Sequence, residues 1–209
     1  MGCETTTSAI GGIQIVMART ASKRITLEFH PLTADRWKDF EILFGARGAC
    51  GGCWCMWGRL TSKQYEQGSG DKNKGAMKKL VSNGTEPGII GYHDGAPVAW
   101  CAIAPRADYP RLATSRIFAP IDDKPVWSIV CLFIAKEYRR TGVSAKIIKA
   151  AVSFAKGKGA KIVEGYPHDI TGNRQPDPFV WMGMMSAYEK AGFKEAARRS
   201  AKRPMVRRG

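Results

Sequence analysis

Apolar residues run almost unbroken from position 126 to 134 and are rich in β-branched and aromatic side chains, so a buried strand is predicted there. A polar stretch at 135–138 ends the run. Beyond Arg139-Arg140-Thr141-Gly142-Val143-Ser144 the period changes. Ile148, Ala151, Val152 and Ala155 recur at i, i+3, i+4 and i+7, which predicts an amphipathic helix stopped by Gly157. Lys146, Lys149 and Lys156 mark its polar side. Upstream, residues 25–29 alternate as a first strand, and Thr33 predicts the N-cap of a helix over 34–44. Helical patterns at 61–67 and 74–81 are separated by a glycine-containing turn. Asp94-Gly95 between the apolar runs 87–92 and 97–104 predicts a hairpin. After the central helix come a strand at 161–166 and a Pro/Asn/Gly-rich insertion at 167–179. A helix at 182–191 closed by Gly192 follows, then strands at 193–197 and 205–206.

This mixture predicts an α/β (α+β) protein, with one domain over 25–209 preceded by a disordered or non-native leader at 1–24. No stretch reaches the roughly 18 apolar residues of a membrane span. Six cysteines without regular spacing predict reduced thiols and a cytoplasmic protein rather than a disulfide scaffold. Lys and Arg exceed Asp and Glu by 33 to 18, a net charge of +15 that attracts polyanions. A solvated basic face is the favoured reading of the surplus, and nucleic acid is a possible but less favoured partner.

The basic turn at 139–144 is the most specific chemical signal. It precedes a helix, where backbone N–H groups and the dipole favour an anion. Gly142 allows close approach of a ligand, and Ser144 keeps the first turn open. A pyrophosphate suits this arrangement. Arg139-x-x-Gly142-x-Ser144, preceded by Tyr138, together with Ala187-Tyr188-Glu189-Lys190-Ala191-Gly192-Phe193, resembles the GNAT superfamily of acyl-CoA-dependent N-acyltransferases. The resemblance implies a central mixed, twisted sheet of about six to seven strands with about four helices, in which two parallel strands splay at the cofactor site. It implies acetyl-CoA as co-substrate, an amine acceptor, and a monomer or homodimer.

It also implies site residues. Leu132, Phe133 and Ile134 would offer backbone contacts, and Arg139, Arg140, Thr141, Gly142, Val143 and Ser144 would cradle the phosphates. Tyr188 would protonate the departing thiolate as general acid. The strand at 126–134 carries no carboxylate, so Glu164 and His168 are the candidate bases. Cys131 reads as core packing, although an acyl-cysteine route is conceivable. Cys50, Cys53 and Cys55 form a Cys-x-x-Cys-x-Cys pattern without a fourth ligand nearby, so no metal is expected. Their loop, with Trp54, Trp57 and Arg59, is expected to wall the acceptor pocket, joined by Tyr109. The function expected is acetyl transfer to a primary amine of a small molecule. The alternatives are a macromolecular acceptor, protein or aminoacyl-tRNA, and a non-catalytic acyl-CoA sensor.

Overall fold

A computed structural model describes residues 25–170 and 180–209; the expected leader at 1–24 and positions 171–179 of the insertion lie outside the described residues. Seven strands form one sheet: β1 (Glu28–Pro31), β2 (Gly88–His93), β3 (Ala96–Pro105), β4 (Trp127–Ile134), β5 (Val163–Gly165), β6 (Lys194–Arg198) and β7 (Pro204–Arg208). Their order is β1-β2-β3-β4-β5-β7-β6, and only β4 and β5 run parallel. The fold is the mixed α/β arrangement expected. Six helices accompany the sheet among the described residues: α1 (Trp37–Phe44), α2 (Ser62–Gln67), α3 (Asp71–Ser82), α4 (Pro110–Ala113), α5 (Val143–Gly157) and α6 (Met185–Lys190).

Two apolar layers result. One face buries Phe40, Phe44, Trp54 and Trp100 with Met77 and Val81, so α1 and α3 lie on that side. The other buries Ile147, Ile148, Ala151, Val152 and Ala155 of α5 against Ala99, Cys101 and Ile129. The hairpin forms as expected, since Asp94 and Gly95 take φ of 49° and 76°, the left-handed pair that a two-residue turn needs.

Several boundaries differ from expectation for local reasons. Helix α5 runs through Gly157 and is closed by Gly159 at φ 90°, where Gly159 and Ala160 donate N–H bonds to the Lys156 and Ala155 carbonyls. Helix α6 is shorter than 182–191 because Gly183, at φ 86°, turns the chain before it. Thr33 does not cap α1; a 3₁₀ turn over Ala34–Arg36 intervenes, and the Thr33 hydroxyl accepts from Arg36 instead. Strand β1 starts at Glu28 rather than residue 25, because its length is set by pairing with β2 from Glu28↔Tyr92 to Pro31↔Ile89.

The parallel pair positions the site. Strand β4 pairs with β5 only through Trp127↔Val163, Ser128↔Glu164 and Ile129↔Gly165. A bulge follows, since Ala102 faces Cys131 while Ile103 faces Ile129, leaving Val130 without a partner on β3. Beyond it the outer edge of β4 is open to another segment, and the Leu132 N–H donates to the Trp181 carbonyl at 2.6 Å.

Below the split lies a buried ionic knot. Glu164, with no exposed surface, accepts from Arg106 at 2.7 Å, from Arg207 at 2.8 Å and from the Tyr166 hydroxyl at 2.6 Å. Removing one member of such a pair strands the remaining charge. Glu164→Gln is therefore expected to lower unfolding free energy by about 3 kcal/mol, read as a reduced urea midpoint at unchanged m-value.

Candidate active site

A groove of about 520 Å³ follows the open edge of β4. Leu132, Phe133 and Ile134 line one side, Arg139, Arg140, Gly142 and Ser144 one end, and Trp181, Gly183, Met184 and Ala187 the opposite wall. The Ala135 N–H donates to Val98 on β3, so alternation along β4 directs the Ile134 N–H toward the groove. The Leu132 amide points the same way but is occupied by Trp181, so it offers no free contact.

The turn at the groove's end combines Arg140 at φ 64° with Gly142 at φ 86°. Left-handed residues in such a turn can aim neighbouring N–H groups to one side. Helix α5 has no side-chain cap and no acidic residue in its first turn. Its first N–H groups, at Val143, Ser144 and Ala145, precede the first intrahelical donor, Lys146, which bonds the Gly142 carbonyl. A side chain at Gly142 would meet nothing within 4 Å, so glycine is required there by backbone conformation, with open space before it. Arg139 Nε donates to the Ile134 carbonyl at 2.9 Å, tying the turn to β4. Two expected contributors turn elsewhere: the Thr141 hydroxyl bonds the Tyr138 carbonyl at 2.6 Å, and the Val143 side chain is buried under α5. Only their main chain remains available to a ligand.

At its other end the groove meets a smaller cavity of about 170 Å³. Cys50, Cys53, Cys131 and Trp181 line both; Cys55, Trp57 and Tyr65 line the cavity alone. Trp57 and Trp181 meet edge to face at 5.8 Å, and the Arg111 guanidinium covers the Trp57 and Tyr65 rings at 5.0 and 5.2 Å. Among the described residues no carboxylate or imidazole lines the cavity. Burial pushes the Tyr65 phenol up to about 12 and raises the Cys53 thiol, whose Sγ donates to the Gly48 carbonyl. Among the described residues no group of three or more His, Cys, Asp or Glu is disposed to hold a metal ion.

The loop bearing these cysteines is tightly folded. Ala49, Trp54 and Cys55 all take positive φ, and Gly48 sits directly under the Trp54 indole, where a Cβ would overlap the ring. Such conformations cost on the order of 1–3 kcal/mol each and persist where the surroundings enforce them.

The cysteine loop lines the cavity as expected of it, but of Trp54, Trp57, Arg59 and Tyr109 only Trp57 does. Trp54 is core, stacked on Phe44 at 5.9 Å and covered by Lys74. Arg59 lies behind the wall, paired with Asp108 at 3.5 Å and stacked on Tyr109. Tyr109 is itself 1% exposed. Tyr65 and Trp181, which do line the cavity, carried no periodic signal in the sequence.

The expected acid and bases also lie off the groove walls. Tyr188 is fully buried, its hydroxyl donates to the Met182 carbonyl at 3.1 Å, and its ring fills the space left by Gly165 and Gly183. Burial holds its phenol well above 10, so it stays protonated. Glu164 is consumed by the two arginines described above. His168 contacts the Trp181 ring at 6.1 Å, and its Nε2 is enclosed with no partner among the described residues.

Three comparisons bear on this geometry. Residues 54–169 match the acetyltransferase (GNAT) family. No curated protein matches the chain. A GNAT-family acetyltransferase from Streptococcus agalactiae 2603 is similar in structure, with 13% identity, 87% of this chain and 94% of that one covered, and a TM-score of 0.52. The PaiA N-acetyltransferase from Thermoplasma acidophilum, solved with coenzyme A, shares 13% identity over 88% of this chain and 99% of its own, at a TM-score of 0.49. An aminoglycoside acetyltransferase solved with coenzyme A shares 16% identity over 88% and 94%, at a TM-score of 0.48.

Burial, with Arg203 beside it, lowers the His168 pKa from 6.5 to about 4. The unfolded chain therefore binds more protons than the folded one between those values. His168 stabilises the neutral-pH fold fully above pH 6.5, and that contribution falls as pH drops toward 4. His168→Gln should flatten stability against pH across this window, measured by denaturant titration.

Proposed function

Because the chain belongs to the acetyltransferase (GNAT) family, we propose that it transfers an acetyl group from acetyl-CoA to a primary amine of a small molecule. The continuity of one path carries this reading. It begins at the uncapped turn of 139–144, follows the open edge of β4, and ends at the small cavity beside Trp57 and Trp181.

The residues fit the co-substrate. Main-chain N–H groups of residues 143–145 and the N-terminal dipole of α5 would hold the pyrophosphate, with Arg140 beside them. The Ile134 amide and the walls formed by Phe133 and Ala187 would seat the pantetheine arm. The bound thioester supplies an activated acyl carbon. The aromatic faces of Trp57, Tyr65 and Trp181 would orient the amine, and a cavity of about 170 Å³ favours a small acceptor or a slender amine arm. No helix among the described residues is long and apolar enough to cross a membrane. We take residues 25–209 as a single catalytic domain acting in the cytoplasm.

The net charge of +15 supports a second reading, in which the amine belongs to a macromolecule such as aminoacyl-tRNA or protein. A steep fall of tRNA binding with salt would favour a nucleic-acid acceptor, whereas turnover of small amines that is insensitive to salt supports the first reading.

Gly142→Glu should weaken coenzyme A binding by about 100-fold in calorimetry, since it combines left-handed strain with a carboxylate at the anion site. Unchanged affinity would sink the phosphate assignment. Tyr188→Phe loses only the bond to Met182, so stability should fall by about 1 kcal/mol with kcat within a few-fold. A loss of about 10²-fold in kcat at unchanged coenzyme affinity would return the acid role to the phenol.

A further inference from the structure

Arg111, on the short helix α4, brings an unused cation against the cavity wall. Its main-chain N–H donates to the Gly58 carbonyl at 3.4 Å, which seats α4 on a residue lining the cavity. Its guanidinium carbon lies 5.0 Å from the centre of the Trp57 ring and 5.2 Å from that of Tyr65, two further lining residues. Ring faces attract the charge but offer no acceptor oxygen. Nε and Nη2 are enclosed with no hydrogen-bond partner, and among the described residues no carboxylate pairs with Arg111. The neighbouring Arg59 differs, since Asp108 meets it at 3.5 Å. Burial raises the Tyr65 phenol and the Arg111 charge opposes that rise, so the field of the guanidinium reaches the cavity wall. Enclosed guanidinium donors left unpaired are costly, and an anion that meets them recovers that cost.

We propose that the acceptor is a small amine carrying an anionic oxygen group, a carboxylate or a phosphate, which Arg111 binds through its unpaired N–H donors. The inference rests on the acetyl-CoA reading above and narrows its acceptor. Trp57, Tyr65 and Trp181 would enclose the carbon skeleton, with the anion toward α4. The amine end would then face the groove, which shares Cys53, Cys131 and Trp181 with the cavity. A planar guanidinium suits both oxygens of such a group at once, in the paired geometry that a single ammonium does not offer. An uncharged or cationic counterpart would leave the Arg111 donors unpaired, which is how a site rejects an analogue lacking one polar group. The lining agrees with this sign of charge. It carries no carboxylate among the described residues, so nothing there favours an acceptor with a second cationic centre.

The full chain is assayed with acetyl-CoA and a panel of amines by release of coenzyme A, with coenzyme A binding measured separately by calorimetry. The panel sets glycine, β-alanine and γ-aminobutyrate against their amides, and phosphoethanolamine against ethanolamine, with putrescine as the cationic member. At least one anionic amine should exceed its uncharged counterpart in kcat/KM by about tenfold or more, chiefly through KM, with putrescine poorest. Whichever of carboxylate and phosphate is preferred identifies the source of the anion. Arg111→Gln should shrink that ratio by about tenfold, to near equality. Arg111→Lys covers misfolding of the glutamine variant; keeping the charge but not the planar fork, it should retain part of the ratio. A merely structural Arg111 would lower every acceptor alike and leave the ratio unchanged. Where coenzyme A binds, four results overturn the inference and leave the acyl-donor reading standing. These are equal use of charged and uncharged amines, a preference for putrescine, an unchanged ratio in Arg111→Gln, and no turnover of any anionic amine. If coenzyme A does not bind, the underlying reading falls and this inference with it.

Discussion

The separation of β4 from β5 after Ile129 and Gly165 is the constraint on which the rest of the molecule depends. Paired strands bury their main chain, whereas separated ones expose polar groups that must be satisfied elsewhere. One such group, the Leu132 amide, is met by the Trp181 carbonyl, so the segment before α6 becomes the far wall of the groove. The bulge at Val130 belongs to the same event, because it re-aims the outer half of β4 and brings Cys131 to the junction of groove and cavity. The knot of Glu164, Arg106, Arg207 and Tyr166 joins β5 to β7 and to the turn after β3, and the Tyr166 hydroxyl reaches Ser128 of β4 at 2.8 Å, just where pairing ends. Its charges are stabilising only as a set, since the desolvation of each is offset by the others.

Local signals were legible in the chain itself. The Asp94-Gly95 hairpin, the run that became β4 and the turn into α5 all depend on residues a few positions apart, and each formed as expected. Helix ends were less legible: two glycines stood within reach of the α5 stop, and Gly159 rather than Gly157 closed it, as its carbonyl partners dictated. Side-chain direction in aperiodic stretches was the least legible. Trp54 and Trp57 lie three residues apart in one glycine-rich loop, yet the first became core and the second a cavity wall. Glu164 looked like a free carboxylate because its two arginine partners lie 58 and 43 residues away.

The cysteine loop shows how a site forms without regular structure. Positive φ angles at Ala49, Trp54 and Cys55 fold it back on itself, and the packing of the Trp54 ring against Phe40 and Phe44 holds that shape. The thiols that face the cavity are consequently presented by a loop anchored in the aromatic core. Anchoring of this kind keeps rotamers fixed, which chemistry at a precise distance requires.

The turn at 139–144 offers its ligand amide hydrogens more than side chains, and amides are the same in every residue but proline. If the proposed site is right, mutation can rewrite the lining at 50–57 and 181–187 while this turn keeps its ligand, so that a new acceptor could evolve stepwise without passing through a form that has lost its acyl donor. Division of labour of this sort is a physical basis for a scaffold that stays recognisable at 13% identity.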